Sequence, residues 1–205
     1  MNAYHQEQLE TIALVHSHLK RNATARRDLA ALIADYLVFR EEVAKFLSMG
    51  FSEVCTQTCY HSRLSACCSR EGIVTFFADI VVNLLVSEDQ EIQEHLSILR
   101  KPNLGFKCVY LAENGCRWNV KPIVCEMFLC KRAQDTIFNR NAEFKREWKL
   151  IEGKRKRFTW PDRPVLFDML ETYFLERGHR SPLMYLHHSP GLLRLKQKAG
   201  LITQT

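Results

Sequence analysis

Outside residues 55–130 the 205-residue sequence has no cysteine at all. It has no P-loop, no Rossmann glycine motif and no Ser/His/Asp arrangement, so nucleotide-binding and triad chemistry have no visible footing. Internal repeats and low-complexity tracts are missing too. The opening MNAYHQEQLE holds two acids and no apolar h-region, which is not the pattern of a secretory signal. The longest apolar stretch, Ile73 to Val86, is interrupted by Asp79 and Asn83. It is shorter than the roughly 20 residues a spanning helix needs. Without export or membrane signals the expected setting is cytoplasmic and reducing, with no membrane partner. In such a setting gathered cysteines bind metal more readily than they form disulfides.

What the sequence does hold is eight cysteines in 76 residues. They run Cys55-x3-Cys59-x7-Cys67-Cys68, then Cys108-x7-Cys116-x8-Cys125-x4-Cys130. Hydrophobic residues make up 46% and charged residues 25%, the balance of a globular chain that buries a core without covalent staples. The net charge of +6 is uneven: residues 1–130 sum to −2 and residues 131–205 to +8.

Apolar spacing predicts helices over about 4–20 and 24–48, forming a hairpin that closes at Asn22, with Gly50 as a C′ residue. An irregular loop over 51–72 is expected to carry the first cysteines. Phe76, Phe77, Ile80, Val81, Leu84 and Leu85 mark the next helical face. Ser87 opens a helix over about 88–100, with Gln90 placed for a capping box, and Pro102, Asn103 and Gly105 end it. Residues 108–118 read as a small hairpin turning at Glu113-Asn114-Gly115. Lys121-Pro122 starts a helical turn that carries Cys125 towards Cys130. A polar helix follows over about 133–152, broken by Lys154-Arg155-Lys156-Arg157 and Trp160–Pro164. Further helices are expected at about 165–177 and 181–198.

Thiolates are soft anionic ligands suited to zinc, Cu(I) and iron–sulfur clusters. Four of them make one structural zinc site or hold one [4Fe–4S] cluster. Eight allow two centres, or one centre with spare thiols. Zinc ribbons normally contain C-x2-C, which brings two sulfurs onto one small ion; this sequence has none. The x7 and x8 spacings suit ligands that approach a larger object from several directions. Adjacent Cys67 and Cys68 diverge, so they serve one ion unequally or serve different centres.

The run Cys108-Val-Tyr-Leu-Ala-Glu-Asn-Gly-Cys116-Arg-Trp-Asn-Val-Lys121-Pro122-Ile-Val-Cys125-Glu-Met-Phe128 resembles the second half of the YkgJ-type cysteine-cluster proteins. These are described as zinc- or iron-chelating domains. Lys121 stands where that family usually has Arg, and Asn119 where it often has Tyr. The first half departs further: the family shows C-x2-C-x2-C-C, whereas here the terminal Cys67-Cys68 follows a longer loop that contains His61, a possible extra ligand. Cys130 lies beyond the pattern. The resemblance covers about residues 55–130 and implies metal binding. Within that family the flagellin lysine N-methylases carry a related pattern and are thought to use an iron–sulfur cluster.

Other groups carry weaker readings. His187-His188 with His179 reads as a second metal site or as helix-end histidines. Lys145, Arg146, Lys149 and Lys154–Arg157, interleaved with Phe144, Trp148, Phe158 and Trp160, suit phosphate contact and base stacking, or a solvated face over an apolar one. Asp162, Asp168 and Glu171 read as surface carboxylates. Cys55-x3-Cys59 supplies only the start of a radical-SAM run.

The expected fold is mainly α: a helical domain with a central irregular cysteine-rich metal-binding region and one small β-hairpin. Residues 1–50 form an N-terminal helical hairpin, 51–132 the cysteine region and 133–205 a basic helical region, all in one domain. The expected function is metal binding by Cys55, Cys59, Cys67, Cys68, Cys108, Cys116, Cys125 and Cys130. The favoured cofactor is a [4Fe–4S] iron–sulfur cluster used in redox or modification chemistry with an unidentified protein or redox partner. The alternatives are a structural zinc module whose basic region binds a partner or nucleic acid, and a cluster-dependent protein-lysine methyltransferase.

Overall fold

The structure is a computed structural model that describes residues 3–62, 67–69, 75–159, 165–186, 198 and 200. Among the described residues the fold is mainly α with one two-stranded antiparallel sheet, as the sequence predicts. Helix α1 (Ala3–Arg21) turns at Asn22 into α2 (Ala23–Leu32). The Asn22 side chain accepts the Ala25 N–H at 3.0 Å, an N-cap that satisfies one of the free donors of a helix start. A single turn residue, Ile33, separates α2 from α3 (Ala34–Phe51).

Helix α4 (Phe77–Val86) is the central element. Every residue from Phe77 to Leu85 is buried, because helices surround it. It packs against α1, α2 and α9 (Leu166–Glu176). Asp79 accepts the Phe76 N–H at 3.0 Å and so caps α4. Helix α5 (Asp89–Arg100) lies along α1. Its cap sits one residue later than the sequence suggests: Glu88 is the N-cap and Glu91, not Gln90, closes the box at 2.9 Å.

The predicted polar helix 133–152 is two helices, α7 (Lys131–Phe138) and α8 (Ala142–Thr159). Asn141 breaks them and caps α8 through the Phe144 N–H at 3.0 Å. The basic run 154–157 does not interrupt α8. Lys and Arg are good helix formers, and an aromatic seam holds that stretch down. Phe39 of α3 stacks on Phe158 at 5.3 Å, Phe46 on Trp148 at 5.5 Å and on Phe144 at 4.4 Å. Phe51 meets Phe138 edge-on at 5.5 Å. The pairing order shows that α8 runs antiparallel to α3.

Gly50 lies inside α3 rather than at its C′ position. Its reason is packing: a Cβ there would sit 2.0 Å from the Phe144 Cε1. That ring, stacked on Phe46, has little room to yield. Gly50→Ala is therefore expected to cost about 1–3 kcal/mol through overpacking, to be read as a lower midpoint in urea with an unchanged slope.

The helix expected over about 165–177 is α9, Leu166–Glu176. Of the predicted helix 181–198, the described part begins as a 3-10 turn at Pro182–Leu186. Trp160–Pro164, Asp162, His187 and His188 lie outside the described residues. No described helix is long and apolar enough to cross a membrane.

Candidate metal centre

Four separate elements carry the eight cysteines. The first is a π-helix, Ser52–Tyr60, continuing directly from α3 where an irregular loop was expected. Its i→i+5 bonding, seen where the His61 N–H meets the Thr56 carbonyl at 2.9 Å, widens the turn. Cys55 and Cys59 thereby stand about one turn apart on one side. The Tyr60 hydroxyl donates to the carbonyls of Ala112 and Glu113, tying the end of the π-helix to the second half of the cysteine region.

The second element is the short segment 67–69. Ser69 forms an antiparallel bridge with Lys107, and the Cys108 N–H donates to the Cys68 carbonyl at 3.0 Å. Backbone pairing thus places the vicinal cysteines beside Cys108, 40 positions away in the chain.

The hairpin is the third. Strands β1 (Leu111–Ala112) and β2 (Gly115–Cys116) pair with Leu111 opposite Cys116. Gly115 has φ +112, a conformation open to glycine and costly for other residues, so the turn falls where the sequence places it. Its foot is buried. Tyr110 donates to the Gln8 side chain at 2.7 Å, Trp118 lies edge-on to Tyr110 at 5.2 Å, and His95 meets the Arg117 carbonyl at 3.0 Å.

The last element is the turn α6 (Ile123–Glu126) with the start of α7, bearing Cys125 and Cys130. Two buried groups fix it. The second oxygen of Asp79 accepts the Ile123 N–H at 3.0 Å, so one carboxylate caps α4 and α6 together. Arg40 of α3 reaches Glu126 through Nε at 2.9 Å and also through Nη2. It donates to the Lys121 carbonyl at 2.6 Å and to the Tyr36 hydroxyl at 2.8 Å. The Arg40 and Glu126 side chains are only 5% and 10% exposed. Sequence reasoning missed both anchors; the available signal was a lone ionisable residue within an apolar helical face.

Burial pushes the Asp79 carboxyl up to about 6, against the two N–H bonds that favour its charged form. A raised carboxyl binds its proton more tightly when folded. Its stabilising effect is complete below pH 3.8, the ordinary carboxyl value, and is lost as pH rises through about 6. Relative to Asp79→Asn, the wild-type chain is expected to lose about 3 kcal/mol of stability between pH 4 and 7. Parallel urea titrations of both proteins across that range are the check.

None of the eight cysteines is in a disulfide. Cys55, Cys59, Cys68, Cys108 and Cys116 are half-buried, while Cys67, Cys125 and Cys130 are exposed. Their electrostatic contacts join them into one group. Burial, then the thiols of Cys67, Cys130 and Cys59, push Cys55 up to about 11. Burial, then Cys116 and Cys125, push Cys108 up to about 11. Burial also raises Cys116. Cys67 is pulled down to about 6 by the hydrogen bond it shares with Cys68, which is itself raised by the same bond and then by burial, Cys67, Cys108 and Cys116. Neighbouring thiolates repel one another, and a metal cation among them reverses the sign of that effect.

Among the described residues, no group of three or more His, Cys, Asp and Glu side chains is arranged to hold a single metal ion. The donor set fits a thiolate-bound group in its chemistry. His61 is exposed at the end of the π-helix, beside Tyr60.

The remaining sequence candidates take other roles. Trp148 is buried, and Phe144 and Phe158 pack in the α3–α8 seam, so these three aromatics serve the core rather than a base-stacking platform. Asp168 and Glu171 are buried rather than on the surface, 4% and 0% exposed. His179 sits 3.0 Å from His18 Nδ1, whose Nε2 meets the Tyr173 hydroxyl at 3.1 Å.

No family model matches the chain, and searches of curated proteins and of solved structures likewise give no match.

Proposed function

We propose that the chain is a metal-binding cysteine protein of the YkgJ type that holds an iron–sulfur cluster, favoured as [4Fe–4S], in a reducing compartment such as the cytoplasm. The observation that supports this reading is that the eight cysteines, 76 residues from first to last and none in a disulfide, influence one another electrostatically, with Cys68 and Cys108 joined through their backbones at 3.0 Å. A structural zinc ion needs four donors about 2.3 Å from one point. Thiols on four separate elements, with x7 and x8 spacings between them, suit the larger span of a cluster.

Cys55, Cys59, Cys108, Cys116 and Cys125, with one of Cys67 and Cys68, are the candidate ligands. Cys130 is the thiol outside the family pattern. Such a group supplies one-electron transfer when bound. The π-helix, the Cys68–Cys108 backbone bond and the Arg40–Glu126 pair bring the thiols together and hold them. An electron donor or acceptor protein is the class of partner this chemistry needs.

Iron and acid-labile sulfide, assayed per chain after anaerobic purification, test the reading. Stoichiometric iron with sulfide is the expected result. A colourless protein with stoichiometric zinc and no sulfide would replace the cluster with a structural zinc module.

A further inference from the structure

The segment joining α5 to the hairpin reads Arg100-Lys-Pro-Asn-Leu-Gly-Phe-Lys107. It bears the two most exposed large apolar side chains among the described residues, Leu104 at 92% and Phe106 at 87%. Single exposed apolar residues are ordinary; two at one loop tip ask for a partner. The tip is shaped by its own hydrogen bonds. The Asn103 amide donates to the Lys107 carbonyl at 2.8 Å and accepts the Gly105 N–H at 3.1 Å. Its base is pinned by the Ser69–Lys107 bridge.

Charge is arranged around that tip. Arg100, Lys101 and Lys107 stand exposed at its two roots. No acidic residue lies between Glu94 and Glu113. Chain order therefore puts apolar side chains outermost and cations behind them on both sides. A bilayer surface has the complementary order, phosphates outside and hydrocarbon beneath. A soft lipid surface takes in protruding side chains singly, whereas a protein partner needs a preformed pocket for each. From this charge and apolar layering we propose that the 100–107 loop seats the protein peripherally on an anionic lipid surface. The expectation of no membrane partner rested on the lack of a spanning segment, which does not bear on a peripheral contact. The proposal stands independently of the metal reading.

The test is co-sedimentation of the full chain with phosphatidylcholine vesicles, with and without phosphatidylserine. Binding is expected only with phosphatidylserine present, weakening as salt rises. Lys101→Gln and Lys107→Gln should each weaken it about fivefold. Leu104→Ser combined with Phe106→Ser should weaken it at least about tenfold, with an unchanged melting curve because both side chains are exposed. Phe106→Trp adds a tryptophan at the tip whose emission should shift to the blue with phosphatidylserine vesicles and not with phosphatidylcholine alone. The proposal is overturned if the wild-type chain stays in the supernatant. It is also overturned if the double serine variant sediments as well as wild type, which would leave net charge as the only cause. Lipid-independent self-association that the double variant abolishes would reassign the loop to a protein contact.

Discussion

Serine at both Cys108 and Cys116 is expected to lower bound iron and sulfide at least about tenfold in anaerobically purified protein, since even partners of metal ligands matter on that scale. A hydroxyl is a hard, weakly acidic donor and a poor substitute for a thiolate on soft metals. Both positions belong to the hairpin that joins the two halves of the cysteine region: the Cys108 thiol takes backbone hydrogen bonds from Tyr110 and Leu111, while its backbone N–H holds Cys68 in place at 3.0 Å. That backbone bond does not involve the side chain, so the substitutions remove donors without removing the bridge. The half-buried sites accommodate the smaller hydroxyl, and helix content by circular dichroism distinguishes lost ligation from lost folding. His61→Ala is the matched control, since His61 is exposed, and it should leave iron and sulfide unchanged. Equal metal content in the double serine variant and the wild type would remove the hairpin thiols from the ligand set.

Arg40→Met is expected to cost about 3–5 kcal/mol, the range for breaking a buried ion pair from one side. The loss would leave the Glu126 carboxylate almost buried without its guanidinium and the Lys121 carbonyl without that donor. A second loss follows, because α6 presents Cys125: the turn would keep the Asp79 bond to the Ile123 N–H but lose its anchor to α3. Metal retention on exposure to a chelator should therefore shorten along with the fall in the urea midpoint. Arg40→Met with Glu126→Leu should recover a substantial part of the stability, because an apolar pair of similar volume carries no desolvation cost. Failure of the double variant to improve on the single one would place the value of Arg40 in its bonds to Tyr36 and Lys121.

Local chemistry was legible in the sequence, and long-range burial was not. The hairpin at Leu111–Cys116 follows from Glu113-Asn114-Gly115, because a turn with positive φ is a short-range demand. The α1–α2 corner at Asn22 follows likewise from one capping side chain. The π-helix was hidden because Thr56, Gln57 and Thr58 between Cys55 and Cys59 suit a loop as well as a widened helix. The Lys154–Arg157 run was misread as a break: its charge says nothing against helix formation, and the stacking of Phe158 on Phe39 depends on a partner 119 positions away. Asp168 and Glu171 were placed on the surface by residue type, although Phe167, Leu170 and Phe174 around them mark a helix buried on most sides. Arg40 shows the same pattern, an ion whose partner lies 86 residues further on. For the candidate centre, the eight thiols are plain in the sequence, whereas the pairing of Ser69 with Lys107 and of Cys68 with Cys108 is announced by no local pattern.

X-ray absorption at the metal edge of the anaerobically purified chain addresses the central claim most directly. A cluster held by these thiolates is expected to show iron with sulfur nearest neighbours and a second iron scatterer close by. Zinc surrounded by four sulfurs would contradict the cluster and leave a structural ion. A shell of oxygen and nitrogen only, or no stoichiometric metal, would contradict a metal centre built from the eight cysteines.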